Sequence, residues 1–229
     1  MRNLAIIPAR GGSKRILKKN IKPFLGKPII AYSIEAAISS NLFDEVMVST
    51  DDLEIVEVAL AYGAKVPFMR SPNTANDYAT IADVLREVLE QYNILGQVFD
   101  NMCCILATSP LIKTNHLHNA YKKLIQSEDL TSISPIVPFS YPILRGLELN
   151  EEGHVNMKWP EYAKTRSQDL ATVYHDSGTF YWHKTQPWLS GTLVKGAIIM
   201  NEIEVQDIDT ETDWQLAELK YRLMDNEKK

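Results

Sequence analysis

The sequence predicts one α/β domain: a mostly parallel sheet with helices on both faces, interrupted by a single inserted arm. Three observations carry this. Short apolar runs of strand length alternate with longer segments of helical period, the pattern of β-α-β units. The chain has 229 residues, somewhat long for one ordinary domain and short for two. The alternation also breaks once, from about Pro138 to Tyr174, where Pro142, Gly146, Gly153, Pro160 and scattered aromatic residues suit a hairpin-like insertion.

Taken in order, "NLAIIPA" is a buried strand, and "PIIAYSIEAAISS" is a helix with Pro28 at its start, where a missing N–H costs nothing. "EVMVST" is the next strand, and "DLEIVEVALAYG" is a helix stopped by Gly63. "KVPFMR" is expected as a short strand, "YATIADVLREVLEQYN" as a helix, and "MCCILAT" as a buried strand. A helix around "HLHNAYKKLIQS" and a strand "TSISPIV" precede the insertion. The strands "SGTFYWH" and "VKGAIIM" and a closing helix after "DIDTETDW" follow it. A ligand crevice is expected at the carboxyl ends of the parallel strands.

Hydrophobic residues at 45% and charged residues at 23% are ordinary for a globular protein with a sizeable core. Pro8 interrupts the apolar run from Leu4 to Ala9, which is too short for a membrane span, so a cytoplasmic protein with no membrane partner is expected. The two cysteines, Cys103 and Cys104, are adjacent, point to opposite faces of a strand, and read as reduced core residues.

Charge is distributed unevenly. The chain carries 24 Lys+Arg against 29 Asp+Glu, yet no acid precedes Glu35 and eight basic residues do. Six of these, Arg10, Lys14, Arg15, Lys18, Lys19 and Lys22, fall within thirteen positions directly after the first strand. A loop there stands at the crevice. Gly11 and Gly12 would allow close approach of a phosphate, Ser13 offers a hydroxyl, and Arg10, Lys14 and Lys19 supply charge-assisted hydrogen bonds to several phosphate oxygens. A solvated basic loop is the competing reading, and position after a buried strand favours the phosphate site. The loop has neither G-x-x-x-x-G-K-[ST] nor the third glycine of the dinucleotide fingerprint.

Near the other end, Asp207 and Asp209 share a face if "VQDIDTETDW" is extended. Two neighbouring carboxylates are tolerated in solvent or around a hard cation, and Mg²⁺ on a phosphate takes one or two protein carboxylates. Thr210 with Asp213 three residues later makes a helix-capping pattern, so Glu211 and Asp213 read as structural.

The segments "IPARGGSKRILKKNI", "VSTDD", "RSPNTANDYAT", "ATSPLI" and "DIDTETDW" together resemble the acylneuraminate cytidylyltransferase family almost end to end. "TRSQDLATVYHDSGTFYW" is most similar to the branch that activates pseudaminic acid. The resemblance implies a Rossmann-like fold of the nucleotide-diphospho-sugar transferase type and transfer of CMP from CTP to a nonulosonic acid, with Mg²⁺ and release of pyrophosphate. It also implies a homodimer built through the arm at 138–174. Arg10, Gly11, Ser13 and Lys14 would hold the triphosphate, Lys19 would neutralise charge at the α-phosphate, Asn20 would help seat the nucleotide, and Arg70, Ala79 and Thr80 would form the cytosine site. Arg166, Gln168, His175 and Asp176 would belong to the sugar half, and Asp207 and Asp209 to the metal.

The chain departs from the sialic-acid members at "ILATSP", where Leu106 and Ala107 replace their Gln-Pro; a sugar-contacting amide is lost, which favours a less polar, deoxygenated nonulosonic acid. The sequence leaves His175, Asp209 and a metal-bound water open as the proton acceptor. A nucleotide sensor could share the loop but would need neither the paired carboxylates nor a sugar half. A nucleic-acid binder is excluded by the acidic balance and by the lack of aromatics among the cations.

Overall fold

The computed structural model describes residues 1–226. In chain order the elements are β1 (Asn3–Pro8), β2 (Pro23–Phe24), β3 (Lys27–Pro28), α1 (Ile29–Ser40), β4 (Glu45–Ser49), α2 (Leu53–Ala61), α3 (Pro72–Ala75), α4 (Ile81–Ile94) and β5 (Asn101–Ile105). They continue as α5 (Thr114–Gln126), β6 (Ser132–Pro138), β7 (Leu147–Leu149), β8 (Val155–Met157), β9 (Tyr174–Asp176), β10 (Phe180–Lys184), α6 (Thr185–Leu189), β11 (Lys195–Ile199) and α7 (Glu211–Asn226).

The central sheet runs β11-β6-β10-β5-β1-β4, with β9 paired to β6. β1 is parallel to both β4 and β5, and β11 is parallel to β6. β10 lies antiparallel between β5 and β6, and β9 is antiparallel to β6. The mostly parallel expectation holds at the site end of the sheet and gives way around the insertion.

Side-chain alternation splits the core into two layers. Ala5, Ile7 and Cys103 face one side, packed on α1, α2 and α5 through residues such as Ile34, Ile55 and Leu117. Leu4, Ile6 and Cys104 face the other, against Leu85, Val88 and Tyr92 of α4 and Trp188 of α6. Both cysteines are free and buried, and burial pushes the Cys104 thiol up to about 12, so neither is a reactive thiolate. Among the described residues no helix is long and apolar enough to cross a membrane.

The expected helix ends are met by their capping chemistry. Asp52 accepts hydrogen bonds from the N–H groups of Glu54 and Ile55 at the start of α2, and Gly63 takes a φ of +89° after its end. Thr80 and Asp83 form a reciprocal capping box, which places the start of α4 at Ile81 rather than at Tyr78 as expected. Thr210 and Asp213 do the same for α7, as their spacing suggests. "KVPFMR" is not a strand: a single bridge joins Met47 to Lys65, and Pro67 cannot donate to a ladder.

The arm leaves the sheet after β6 and returns through β9, with β7 and β8 as an antiparallel hairpin inside it. Its strands are exposed along their length, with Leu149 71% and Val155 57% accessible.

Candidate active site

A cleft of about 640 Å³ opens at the carboxyl ends of β1 and β5 and is lined by Arg10, Ser13, Lys14, Lys19, Arg70 and Ala79 among others. The volume suits a nucleotide-sized ligand. The basic loop forms one wall. Its shape is fixed by one apolar residue: Ile16 is 1% exposed and packs with Phe24, Ile208, Trp214 and Ala217 in a small separate core under the loop. Asn20 is buried and its amide donates to the Arg10 carbonyl at 2.9 Å, tying the two ends of the loop together.

Each cation of the loop meets an acceptor from a distant part of the chain. Arg10 donates to the Asn76 carbonyl at 3.0 Å and to Asp77 at 2.8 Å, and Lys14 pairs with the same Asp77 carboxylate. Lys14 and Arg10 together hold that carboxyl below its usual range. Arg15 pairs with Asp209 at 2.7 Å, Lys18 with Glu54, and Lys22 with Glu211. Lys19 Nζ donates to the Ile208 carbonyl at 2.6 Å and lies 3.4 Å from Asp209. Exposed pairs of this kind contribute little stability, about 0–1 kcal/mol each. Their effect is to aim the side chains.

The opposite wall is the 70–80 segment. Arg70 is buried, its guanidinium donating to the Ser49 hydroxyl at 3.1 Å and the Ser49 carbonyl at 2.5 Å. Burial lowers its pKa, but a guanidinium remains charged, so a fixed cation stands behind the cleft. The N–H groups of Tyr78 and Ala79 donate to the Asn76 side chain, an Asx turn that presents the backbone at Ala79 to the cleft. Thr80 lines the cleft, but its hydroxyl is engaged with Asp83 in the cap.

Gly11 serves a different need from the one its sequence suggests. Its N–H donates to Asp51 at 3.0 Å, and a Cβ added there would stand 2.4 Å from the Asp52 carboxylate. The close approach is to the cap of α2, not to a ligand; around Gly12 the space is open. Gly11→Ala is therefore expected to disturb that cap and destabilise the fold by about 1–2 kcal/mol, read as a lower Tm with Gly12→Ala as the silent control.

A second cleft of about 540 Å³ is lined by His175, Asp176, Tyr181, Gln206 and Asp207 among others. The segment 206–209 borders both clefts: Asp209 lines the first, and Gln206 and Asp207 line the second. The expected acid pair is thus brought to one wall without sharing one cavity, since the segment is not an extended strand. One Asp176 oxygen accepts from Tyr181 Oη and from the Gly178 N–H, both at 2.7 Å. Burial first, and this bond second, raise the Tyr181 pKa. The His175 Nδ1 is 2.8 Å from the Asp176 carbonyl, an arrangement that requires Nδ1–H and leaves Nε2 as the acceptor nitrogen of the neutral ring.

Arg166 and Gln168 lie in neither cleft. Both are in the arm, exposed, with Arg166 paired to Asp169 at 2.7 Å. Sequence reasoning missed Arg15, Asn76 and Asp77. The first was in view as part of the charge cluster, but nothing local marks the other two as partners of a loop more than 60 positions away.

The site presents a basic loop, the turn at Ala79 opposite it, and a second polar cleft beyond 206–209. Comparison with known proteins identifies the family. A family model described as "Cytidylyltransferase" matches residues 4–194. The chain is 44% identical over 227 residues to a pseudaminic acid cytidylyltransferase of Campylobacter jejuni, covering 97% of each protein. It is 32% identical over 236 residues to a CMP-N,N'-diacetyllegionaminic acid synthase of Legionella pneumophila, covering 95% of each. Among solved structures, a CMP:2-keto-3-deoxy-manno-octonic acid synthetase complexed with CTP superposes with a TM-score of 0.71 over 99% of this chain and 100% of that one, at 18% identity, which speaks for the fold alone. A basic loop after β1, a cleft lined by Ala79 and a match over nearly the whole chain have one common explanation: the chain belongs to the cytidylyltransferase family.

Proposed function

We propose that the chain transfers CMP from CTP to the anomeric hydroxyl of a nonulosonic acid, pseudaminic acid first, releasing pyrophosphate. The observation that supports the reading is the segment 206–209, which borders both the cleft of the basic loop and a second, polar cleft. The 44% identity to a protein named for pseudaminic acid, over nearly the whole of both chains, supports the sugar.

In the reaction the sugar oxygen bonds to the α-phosphorus as the bond to the pyrophosphate oxygen breaks, and the hydroxyl proton passes to a base. The protein's part is positioning and charge. Arg10, Ser13 and Lys14 hold the outer phosphates, Lys19 faces the α-phosphate, and the His175 Nε2 accepts the proton. Asp207 and Asp209 would hold Mg²⁺, which supplies Lewis-acid neutralisation of the phosphates. Their hard oxygen donors are the type that ion takes, but the two line different clefts and Asp209 is paired with Arg15 and Lys19, so binding would require Mg²⁺ to draw them together. Among the described residues no three His, Cys, Asp or Glu side chains gather into a metal cage, so the remaining ligands would be phosphate and water oxygens.

The arm supports a homodimer. Tyr141 is 85% exposed and Leu147 65%, more apolar surface than a solitary arm keeps in water, and Arg166 and Gln168 would reach a partner's second cleft rather than their own. Sedimentation of the full chain as a monomer with full activity would refute this.

The test of function is pyrophosphate release from CTP with a panel of pseudaminic, legionaminic and N-acetylneuraminic acids. Pseudaminic acid is expected to give the highest kcat/KM; a larger value with either of the others reassigns the sugar. In the same assay UTP should lose about tenfold or more against CTP, because uracil presents a carbonyl where cytosine presents an amine and leaves a backbone acceptor unpaired, at a cost of about 1–3 kcal/mol.

A further inference from the structure

Asp77 bridges Arg10 and Lys14, two cations of the phosphate loop which no other described acid engages. It pairs with Arg10 at 2.8 Å and with Lys14, while Arg15, Lys18, Lys19 and Lys22 are met by Asp209, Glu54 and Glu211. The residue next to it, Tyr78, is 94% exposed, so nothing packs that part of the turn in place. The Arg10 guanidinium also holds the Asn76 carbonyl, and Asn76 in turn orders the backbone of Ala79. One contact therefore links the phosphate loop to the base recess.

An anion already sits where the outer phosphates would bind, and two negative groups cannot share Arg10 and Lys14 without repulsion. We propose that Asp77 is a built-in counter-anion that a phosphate chain must displace from Arg10 and Lys14, so that the cleft discriminates among ligands by how many phosphates they carry. A triphosphate or pyrophosphate reaches those two cations, offers more charge than one carboxylate, and exchanges with it. A nucleoside monophosphate reaches only Lys19 and leaves the Asp77 pairs intact. The exchange frees the 76–79 turn, and the base recess adjusts only to ligands that bring the outer phosphates. Asp77 thus weakens binding of every ligand that displaces it, which also limits retention of pyrophosphate after the reaction. This rests on the assignment of the cleft to CTP.

Titration calorimetry at low salt with CTP, CMP and inorganic pyrophosphate, on the wild-type chain and on Asp77→Asn, tests it. Asparagine keeps the size and an acceptor for Arg10 while removing the charge. Asp77→Asn is expected to bind CTP and pyrophosphate about five- to tenfold tighter, the scale of two partly exposed ion pairs, and to bind CMP unchanged. The gain should shrink as salt rises toward 1 M, where such pairs are screened. Unchanged or weaker pyrophosphate binding by a variant with wild-type Tm would overturn the proposal and make Asp77 a support of the loop. An equal gain for CMP would overturn it as well, since that reports a general loosening. Should the wild-type chain bind neither CTP nor pyrophosphate, the assignment of the cleft itself fails.

Discussion

Lys19→Ala should lower kcat by about 10²–10³-fold, about 3–4 kcal/mol, while KM for CTP changes much less. The asymmetry follows from where the cation stands. Arg10 and Lys14 face Asp77 across the cleft and would hold the nucleotide in ground and transition states alike, whereas Lys19 is anchored beside Asp209, on the segment that borders both clefts, and would gain most as charge builds on the α-phosphate. The fold should survive. The substitution removes one hydrogen bond to the Ile208 carbonyl and a 3.4 Å approach to a half-exposed carboxylate, together about 1 kcal/mol. A folded Lys19→Ala enzyme with wild-type kcat would end this role for the residue.

Asp207→Asn and Asp209→Asn should each shift the Mg²⁺ titration of activity upward by at least about tenfold and lower kcat at saturating CTP. The two variants are not equivalent. Asp209 also anchors Arg15 and neighbours Lys19, so its loss loosens the loop as well as the metal site. Asp207 lines the second cleft and gives the cleaner measurement. If both variants keep the wild-type Mg²⁺ profile, the pair only punctuates the entry to α7.

What could be read in the sequence was what local rules determine. β1, α1, α4 and α5 declare themselves by hydrophobic period, and Asp52, Gly63 and Thr210 mark helix ends because capping is a matter of neighbours. The direction of β10 is not local. Its alternation is the same parallel or antiparallel, and only the return of the chain from the arm places it between β5 and β6 running the other way. Gly11 shows a related limit: glycine signals that something comes close, and the neighbour proves to be Asp52 from another strand-helix turn. Asp77 could not be assigned in advance because its partners are 63 and 67 positions earlier in the chain. Of the second-cleft residues, His175 and Asp176 come together as expected, whereas Arg166 and Gln168 do not, because the arm carries them away from their own sheet.

The one buried apolar side chain of the basic loop, Ile16, has a bearing on affinity although it would touch no ligand. A flexible stretch of thirteen residues carrying six cations would lose much conformational entropy on closing around a phosphate chain, and like charges would drive it outward meanwhile. Pinned at its midpoint to Trp214 of α7 and clasped at its ends by Asn20, it loses that freedom when the chain folds instead of when the nucleotide arrives. Replacing Ile16 with a polar residue would leave every phosphate contact in the sequence and still slow the association of CTP, since the protein would have to search for the cradle it now holds ready. The C-terminal helix, remote from the chemistry in the chain, is in this sense the floor on which the loop stands.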